Sequence, residues 1–563
     1  MIQAIATSWP NRLVIDRNLE RLWIALVLGA SVGAAIWVHQ SAPLFRLGQT
    51  WEEDSLFQIV ARNISARGPL TDLFLDNYAL GSDPAAQPFY YTHFPTFAGV
   101  LQWMLGIFGG LGAAKGLVIG LFAAGQLYCY LFLRRIFPPA VAVVAFTASA
   151  LNFPGTIAWA DSTVHGLHWL VTFGALYHFD GFLAQQTATP RRRQLYIAMF
   201  FFALALLLTL IHALVVAVAS IYLCWQHGVR GRVVGAATFL ATPAFCMLLH
   251  FARVAYLIGP SGFIYDLFHN MLKASNTTSV EQLVDAYRQM GIVVWPTDFP
   301  GFSRIGLYGK ILDLTSLEVG LVGSVLFGIT ALFGLVAIAI RLVRPGPSVG
   351  SHPALYAIDA FAPFPFLIGG LITWAVIFPV HTANYFNATP RMFVMFYAAV
   401  AAGLLTYLVS WGLKNCSTRL SSLGPATAIL LLGLWLGSVW GRGYENAEFI
   451  AVPGISALAD YRGKSFYTNS WPFLVSYYTH EWAIGGLAPQ DAAKRDYLKA
   501  RYLMQRDYRD TDKYGQPEYY LWVSDYRFAP FSEIDPARYK LDLVQKGDGW
   551  GIYKINRPEA SVP

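Results

Sequence analysis

Apolar residues fall into runs near positions 22–38, 113–133, 138–153, 166–183, 195–210, 212–225, 233–250, 319–341, 360–378, 391–411 and 424–440, separated by polar stretches of which 39–112 and 251–318 are long. Runs without a polar face predict helices buried in lipid, since a helix must present about 20 apolar residues to cross the hydrocarbon core. The run from Phe94 to Gly110 is different: Pro95 stands near its start and Gly109–Gly110 close it, leaving only about 15 residues, which suits a helix lying in the membrane interface. Eleven crossings are therefore expected, and the fold class is a polytopic α-helical membrane protein.

The basic residues arbitrate the orientation. Arg134 and Arg135, Arg191 to Arg193, Arg230 and Arg232, Arg341 and Arg344, and Lys414 and Arg419 occupy alternate connections. The positive-inside rule puts all of them in the cytoplasm if the N-terminus is cytoplasmic, and the C-terminus then lies outside. Arg12, Arg17 and Arg21 lead into the first run without a small-residue cleavage site, so that run is expected to stay as an anchor. Residues 1–440 form the membrane part, with outer loops 39–112 and 251–318. Beyond it the pattern changes to turn formers and strand-like runs such as YYLWVSDY, and YKLDLVQKGDGWGIYKIN reads as a hairpin turning at Gly-Asp-Gly. Residues 441–563 are accordingly expected to form a small soluble α/β or α+β domain.

Composition agrees with a membrane protein: 55% of the 563 residues are hydrophobic and only 13% are charged, against about 25% in soluble domains. The net charge of +7 is dispersed among the connections, which reports topology and gives no nucleic-acid partner. Of the four cysteines, Cys129, Cys224 and Cys246 lie in apolar runs and Cys416 in a short basic loop, so neither a disulfide nor a cysteine metal site is expected.

The candidate chemistry gathers at the expected outer ends. The loop 39–112 holds Glu52, Glu53 and Asp54, followed by an aromatic run with Tyr91, His93 and Pro95. Acids at that point could also simply favour a helix N-terminus, and both roles are compatible. Asp161, His165 and His168 have spacings that line one helix face, which suits either a divalent metal or a hydrogen-bonded helix mouth. His381, Tyr385 and Arg391 lie in HTANYFNATPR between two apolar runs, placed for interface anchoring or for phosphate binding. His212 reads as a hairpin residue.

This plan resembles the GT-C superfamily of membrane glycosyltransferases, in the branch of the protein O-mannosyltransferases and the lipid A aminoarabinose transferase. The resemblance rests on Glu53 and Asp54 with Phe57, Ala61 and Arg62 downstream, on His93 and Pro95, on Asp161, and on His381, Tyr385 and Pro390. The family order at the acidic pair is Asp then Glu, the reverse of this chain, which leaves open which carboxylate is the base. The resemblance implies an enzyme of the inner membrane that moves a hexose or pentose from a polyprenyl-phosphate donor to an acceptor hydroxyl at the outer face, with inversion. Glu53, Asp54 and Asp161 would be catalytic, and His93, Tyr91, His381, Tyr385 and Arg391 would bind substrate. Asp161, His165 and His168 would hold a divalent metal if one is used; no other cofactor is implied. The acceptor could be a lipid, a glycan or a protein. The competing reading is a transporter or flippase of lipid-linked glycans, for which polar groups near mid-membrane and an internal repeat would be expected. No clear repeat is visible.

Overall fold

The computed structural model of the chain describes residues 17–41, 51–79, 90, 97–137, 139–152, 156–185, 188–260, 263–264, 327–343, 361–377, 396–405, 433–437, 454–468, 472–481, 483–485, 518–523, 525–526, 529–530, 537 and 541–556. Tyr91, His93, His381, Tyr385, Arg391 and Cys416 lie outside the described residues. The chain divides into two compact units. One comprises Met1–Gln40, Lys115–Cys246 and Ser303–Ala447; the other comprises Ser41–Ala114, Met247–Phe302 and Glu448–Pro563.

Up to residue 440 the described chain is helical. In chain order the helices are α1 (Arg17–Ser41), α2 (Trp51–Arg67), α3 (Ala98–Gly106), α4 (Gly110–Ile136), α5 (Pro139–Ala150), α6 (His168–Ala184), α7 (Ala188–Leu208), α8 (Leu210–His227), α9 (Val233–Ile258), α10 (Phe327–Val343), α11 (Phe364–Ile377) and α12 (Phe396–Leu405). Among the described residues α1, α4, α8 and α9 are long and apolar enough to cross a membrane, and α10, α11, α12 and part of α5 are shorter apolar helices. This is the expected polytopic helical architecture. Among the described residues Cys129, Cys224 and Cys246 are not joined by disulfides.

Ionic contacts of the first unit collect at helix ends, where the cost of burying charge is smallest. Glu20 at the start of α1 accepts hydrogen bonds from Tyr130 and from Arg134 Nε, the latter at 2.7 Å, near the end of α4. The next residue, Arg135, donates to Asp180 Oδ2 at 2.9 Å near the end of α6, and His227 at the end of α8 meets Asp180 Oδ1 at 2.8 Å. So α4, α6 and α8 finish at one level, and α1 starts there. Nineteen positions along α1 from Glu20, and nineteen before Arg134 on α4, stand His39 and Lys115. At about 1.5 Å per residue that is roughly 28 Å, close to the thickness of a bilayer core. His39 and Lys115 meet Asp161 there. Two polar clusters thus cap the unit, one at each end.

The second unit holds α2, α3 and the C-terminal segment. Helix α2 stops at Gly68, whose φ of +82° and N–H bond to the Ile64 carbonyl (2.7 Å) form a left-handed cap ahead of Pro69. The chain then turns so that Asp76 accepts from the N–H groups of Gly99 and Val100, at 3.1 and 3.0 Å, capping the first turn of α3. Asn63 of α2 ties the same loop down through the Asn77 and Ala79 carbonyls. A side chain at position 99 would drive into Val60, so glycine is what lets α3 lie on α2. With nine residues α3 is about 13 Å long, too short to span a bilayer. Met104, Ile107 and Phe108 at its far end are exposed, as an interface-seeking turn requires.

The C-terminal segment forms a mixed five-stranded sheet in the order β2-β1-β3-β7-β6, built from β1 (Phe466–Thr468), β2 (Ala483–Gly485), β3 (Tyr519–Val523), β6 (Leu541–Gly547) and β7 (Trp550–Ile555); β4 (Asp525–Tyr526) and β5 (Ala529–Pro530) pair separately. Helix α13 (Pro472–Thr479) joins parallel β1 and β2. The hairpin expected at Gly-Asp-Gly is β6–β7, with Gly549 at φ +71° in its turn. Phe466, Leu521, Val523, Ile552, Leu458 and Val475 form the core of the segment.

Candidate functional site

Within the first unit, Asp161 is the centre of the polar cluster that includes His39 and Lys115. Lys115 Nζ lies 3.2 Å and His39 Nδ1 3.3 Å from Asp161 Oδ2, and both Lys115 and Asp161 are buried. An ion pair withdrawn from water in this way holds each side chain in one position, because neither charge can leave without being stranded. Lys115 is absent from the residues that the sequence motifs point to. Its signal is nonetheless present: it is the lone charged residue in GLGAAKGLVIGLFAAGQLYCYLFL.

Asp161, His165 and His168 do not share a helix face. Residues 157–159 form a single 3-10 turn, 163–167 are turns, and α6 begins only at His168. Gly166 lets this turn close, since a side chain there would strike the carbonyls of Ala160 and Ser162. The three groups are drawn to different partners. Asp161 faces Lys115; the His165 ring packs edge-on to Trp159 at 4.8 Å; His168 Nδ1 sits 2.6 Å from the His165 carbonyl, so that nitrogen carries the proton. His168 also stands 5.5 Å, ring to ring, from His212, which is buried in the first turn of α8. Among the described residues no three His, Cys, Asp or Glu side chains are grouped to hold a metal ion. The three groups thus stand on turns and at the start of α6 instead of along one helix.

In the second unit, Glu53 and Asp54 fall in the first turn of α2, which starts at Trp51. Further along, the less buried face of that helix, with Gln58, Ala61, Arg62 and Ser65, opens on a cavity of about 460 Å³. Its other walls come from Gln102, Trp103 and Gly106 of α3, from Ile107, Gly110 and Leu111, and from Arg462, Tyr477 and His480 of the C-terminal segment. Burial lowers the Arg62 guanidinium below its ordinary value, and Glu481 opposes that shift. Arg62 Nη1 reaches the Ser476 carbonyl at 3.5 Å. Arg462 Nη2 lies 3.0 Å from His480 Nε2, an arrangement that needs a neutral imidazole as acceptor. Burial first, then Arg462 and Arg62, hold His480 below its ordinary range, consistent with that neutral form. Both amide atoms of Gln102 are buried with no hydrogen-bond partner among the described residues. Of this set only Ala61 and Arg62 belong to the motifs legible in the sequence, because the remaining walls are up to about 400 positions away in the chain.

No protein-family model and no curated protein matches the chain. It is similar to solved structures of the oligosaccharyltransferase AglB from Archaeoglobus fulgidus, one of them in complex with an inhibitory peptide and a dolichol-phosphate; the identity is 14%, 90% of this chain and 70% of that one are covered, and the TM-score is 0.48. It is similar also to ArnT from Cupriavidus metallidurans bound to undecaprenyl phosphate, at 12% identity over 94% of this chain and 98% of that one, with a TM-score of 0.49. At this identity the likeness runs along the chain without assigning any residue a role.

Proposed function

We propose that the protein is a GT-C-type glycosyltransferase that moves a sugar from a polyprenyl-phosphate donor to an acceptor hydroxyl at the outer face of the inner membrane. The observation that carries this reading is the acidic first turn of α2, from which the same helix runs on to line a cavity with Gln58, Arg62 and Ser65. In a sugar joined to a lipid phosphate the leaving group is already an anion, so its departure needs nearby positive charge more than a proton donor. The acceptor hydroxyl, in contrast, must lose its proton as it attacks. A carboxylate within reach of that hydroxyl serves as general base, worth roughly 10² to 10⁴ in rate, and cations around the phosphate stabilise the charge on the departing oxygen.

Glu53 and Asp54 both stand in that first turn, and either is proposed as the base. The Asp161 cluster acts differently: its ion pair with Lys115 fixes the mouth of the helices. His93, Tyr91, His381, Tyr385 and Arg391 are proposed to hold the donor and its phosphate.

The test is transfer by purified protein in lipid, offered a polyprenyl-phosphate sugar or a nucleotide sugar separately. Turnover with the lipid-linked donor alone is expected, and Asp54→Asn or Glu53→Gln should lose orders of magnitude while retaining expression. Turnover with nucleotide sugar alone would reject the donor class, and near-full activity in both Asp54→Asn and Glu53→Gln would reject the general-base role.

A further inference from the structure

The cavity of the second unit is built as a binding site in ways that the transfer chemistry does not use. Three cationic or protonatable groups converge on it, Arg62, Arg462 and His480, and Glu481 is the acidic side chain acting on Arg62. Gln102 is 1% exposed, lines the cavity, and lacks hydrogen-bond partners for its amide among the described residues. A primary amide buried in that state is stabilised by any ligand that supplies a hydroxyl or a carbonyl. Trp103 and Tyr477 add two aromatic surfaces of the kind that packs against the C–H face of a sugar ring.

A further sign is the backbone of His480. It follows the last turn of α13 with φ at +57°, and its N–H bonds to the Ser476 carbonyl at 3.0 Å. That left-handed position ordinarily goes to glycine, which adopts it without a steric penalty, or to asparagine, which tolerates it. Here it is occupied by an imidazole pointed at Arg462, and residues held in such conformations cluster at sites where the side chain is needed.

We propose that this cavity binds an acidic saccharide unit, its phosphate or carboxylate held by Arg62, Arg462 and His480, its ring against Trp103 and Tyr477, and a hydroxyl on Gln102. That the unit belongs to the acceptor rests on the transferase reading above; that the cavity binds an acidic sugar does not. The anion answers the positive charges of Arg62 and Arg462 at the cavity wall and draws a proton onto His480. The sugar's hydroxyls complete the hydrogen bonding of the amide.

Binding is measured on the full chain in lipid nanodiscs, without donor, by calorimetry with glucose 6-phosphate, glucuronic acid, glucose and inorganic phosphate. One or both acidic sugars are expected to bind at least tenfold tighter than glucose and than phosphate, and the better of the two identifies the acid group. Equal binding of glucose would overturn the anion site, equal binding of phosphate would overturn the saccharide part, and binding of none would overturn both. Arg462→Ala and His480→Asn are expected to lose at least tenfold in affinity, while the thermal midpoint of His480→Asn holds or rises because asparagine fits the left-handed backbone. Lys464→Ala removes a cation of the same segment that does not line the cavity, and should change nothing. Unchanged affinity in both cavity variants would put the binding elsewhere and sink the proposal. Transfer is assayed separately: a protein that transfers sugar yet fails these tests keeps its transferase reading, and one that binds without transferring keeps the cavity.

Discussion

Replacing Lys115 by methionine leaves the volume of the side chain nearly intact and removes one charge of a buried pair. In the native chain Lys115 Nζ is 3.2 Å from Asp161 Oδ2, with side-chain exposures of 3% and 8%. At an effective dielectric of about 20 the attraction at that distance is on the order of 5 kcal/mol. Much of it offsets desolvation already incurred, so the pair adds little net stability; stranding Asp161 without its partner, however, costs about 3 to 5 kcal/mol. His39, on the same oxygen but 22% exposed, softens that loss without abolishing it. Asp161→Asn strands Lys115 in the same way, whereas the double variant strands nothing and should be more stable than Lys115→Met alone. Unfolding of each variant in mixed micelles, arranged as a double-mutant cycle, gives the coupling directly. A coupling of about 2 kcal/mol or more is expected from the loss of a stranded charge. If Lys115→Met costs under about 1 kcal/mol and the two changes add independently, the pair is not what orders this end of the helices.

Three further outcomes follow from the same geometry. Asp76→Ala removes the acceptor of the Gly99 and Val100 N–H groups and should cost about 1 to 3 kcal/mol, read as faster proteolysis of the segment joining α2 and α3; an unchanged cleavage rate would mean that the cap is not needed. His480 is held below its ordinary pKa by burial and by Arg462 and Arg62, so the unfolded chain takes up its proton first as pH falls. Stability is therefore fully present above the unfolded value near 6.5 and declines as pH falls through the native one, and His480→Asn should flatten that part of the profile of thermal midpoint against pH. A reporter active only outside the cytoplasm should work when fused after Pro563 and fail after Arg193; the reverse pair of results would invert every loop assignment drawn from the arginines.

Much is legible in the order of residues alone. Lipid admits only backbones that satisfy their own hydrogen bonds, so apolar length by itself predicts where helices run. The expected runs at 113–133, 166–183, 212–225 and 233–250 lie within or nearly within α4, α6, α8 and α9. Pro95 and Gly109–Gly110 foretell that α3 is too short to cross, and Gly-Asp-Gly foretells the β6–β7 turn, because both are decided by conformations of a few neighbouring residues. The chemistry is less legible. Asp161, His165 and His168 suit one helix face only on the premise of an unbroken helix, and the turns at 160–161 and 163–167 break it. The partner of Asp161 lies 46 positions earlier, on a helix whose sequence reads as uniformly apolar apart from Lys115 itself and the arginines at its end. Arg62 meets a cavity completed by Arg462 and His480, groups that no local pattern could relate to it. Local backbone preference and apolar length act over a few turns of chain and so are written in the sequence; pairing of buried charge acts across whatever the fold brings within about 4 Å, and only the tertiary structure decides which residues those are.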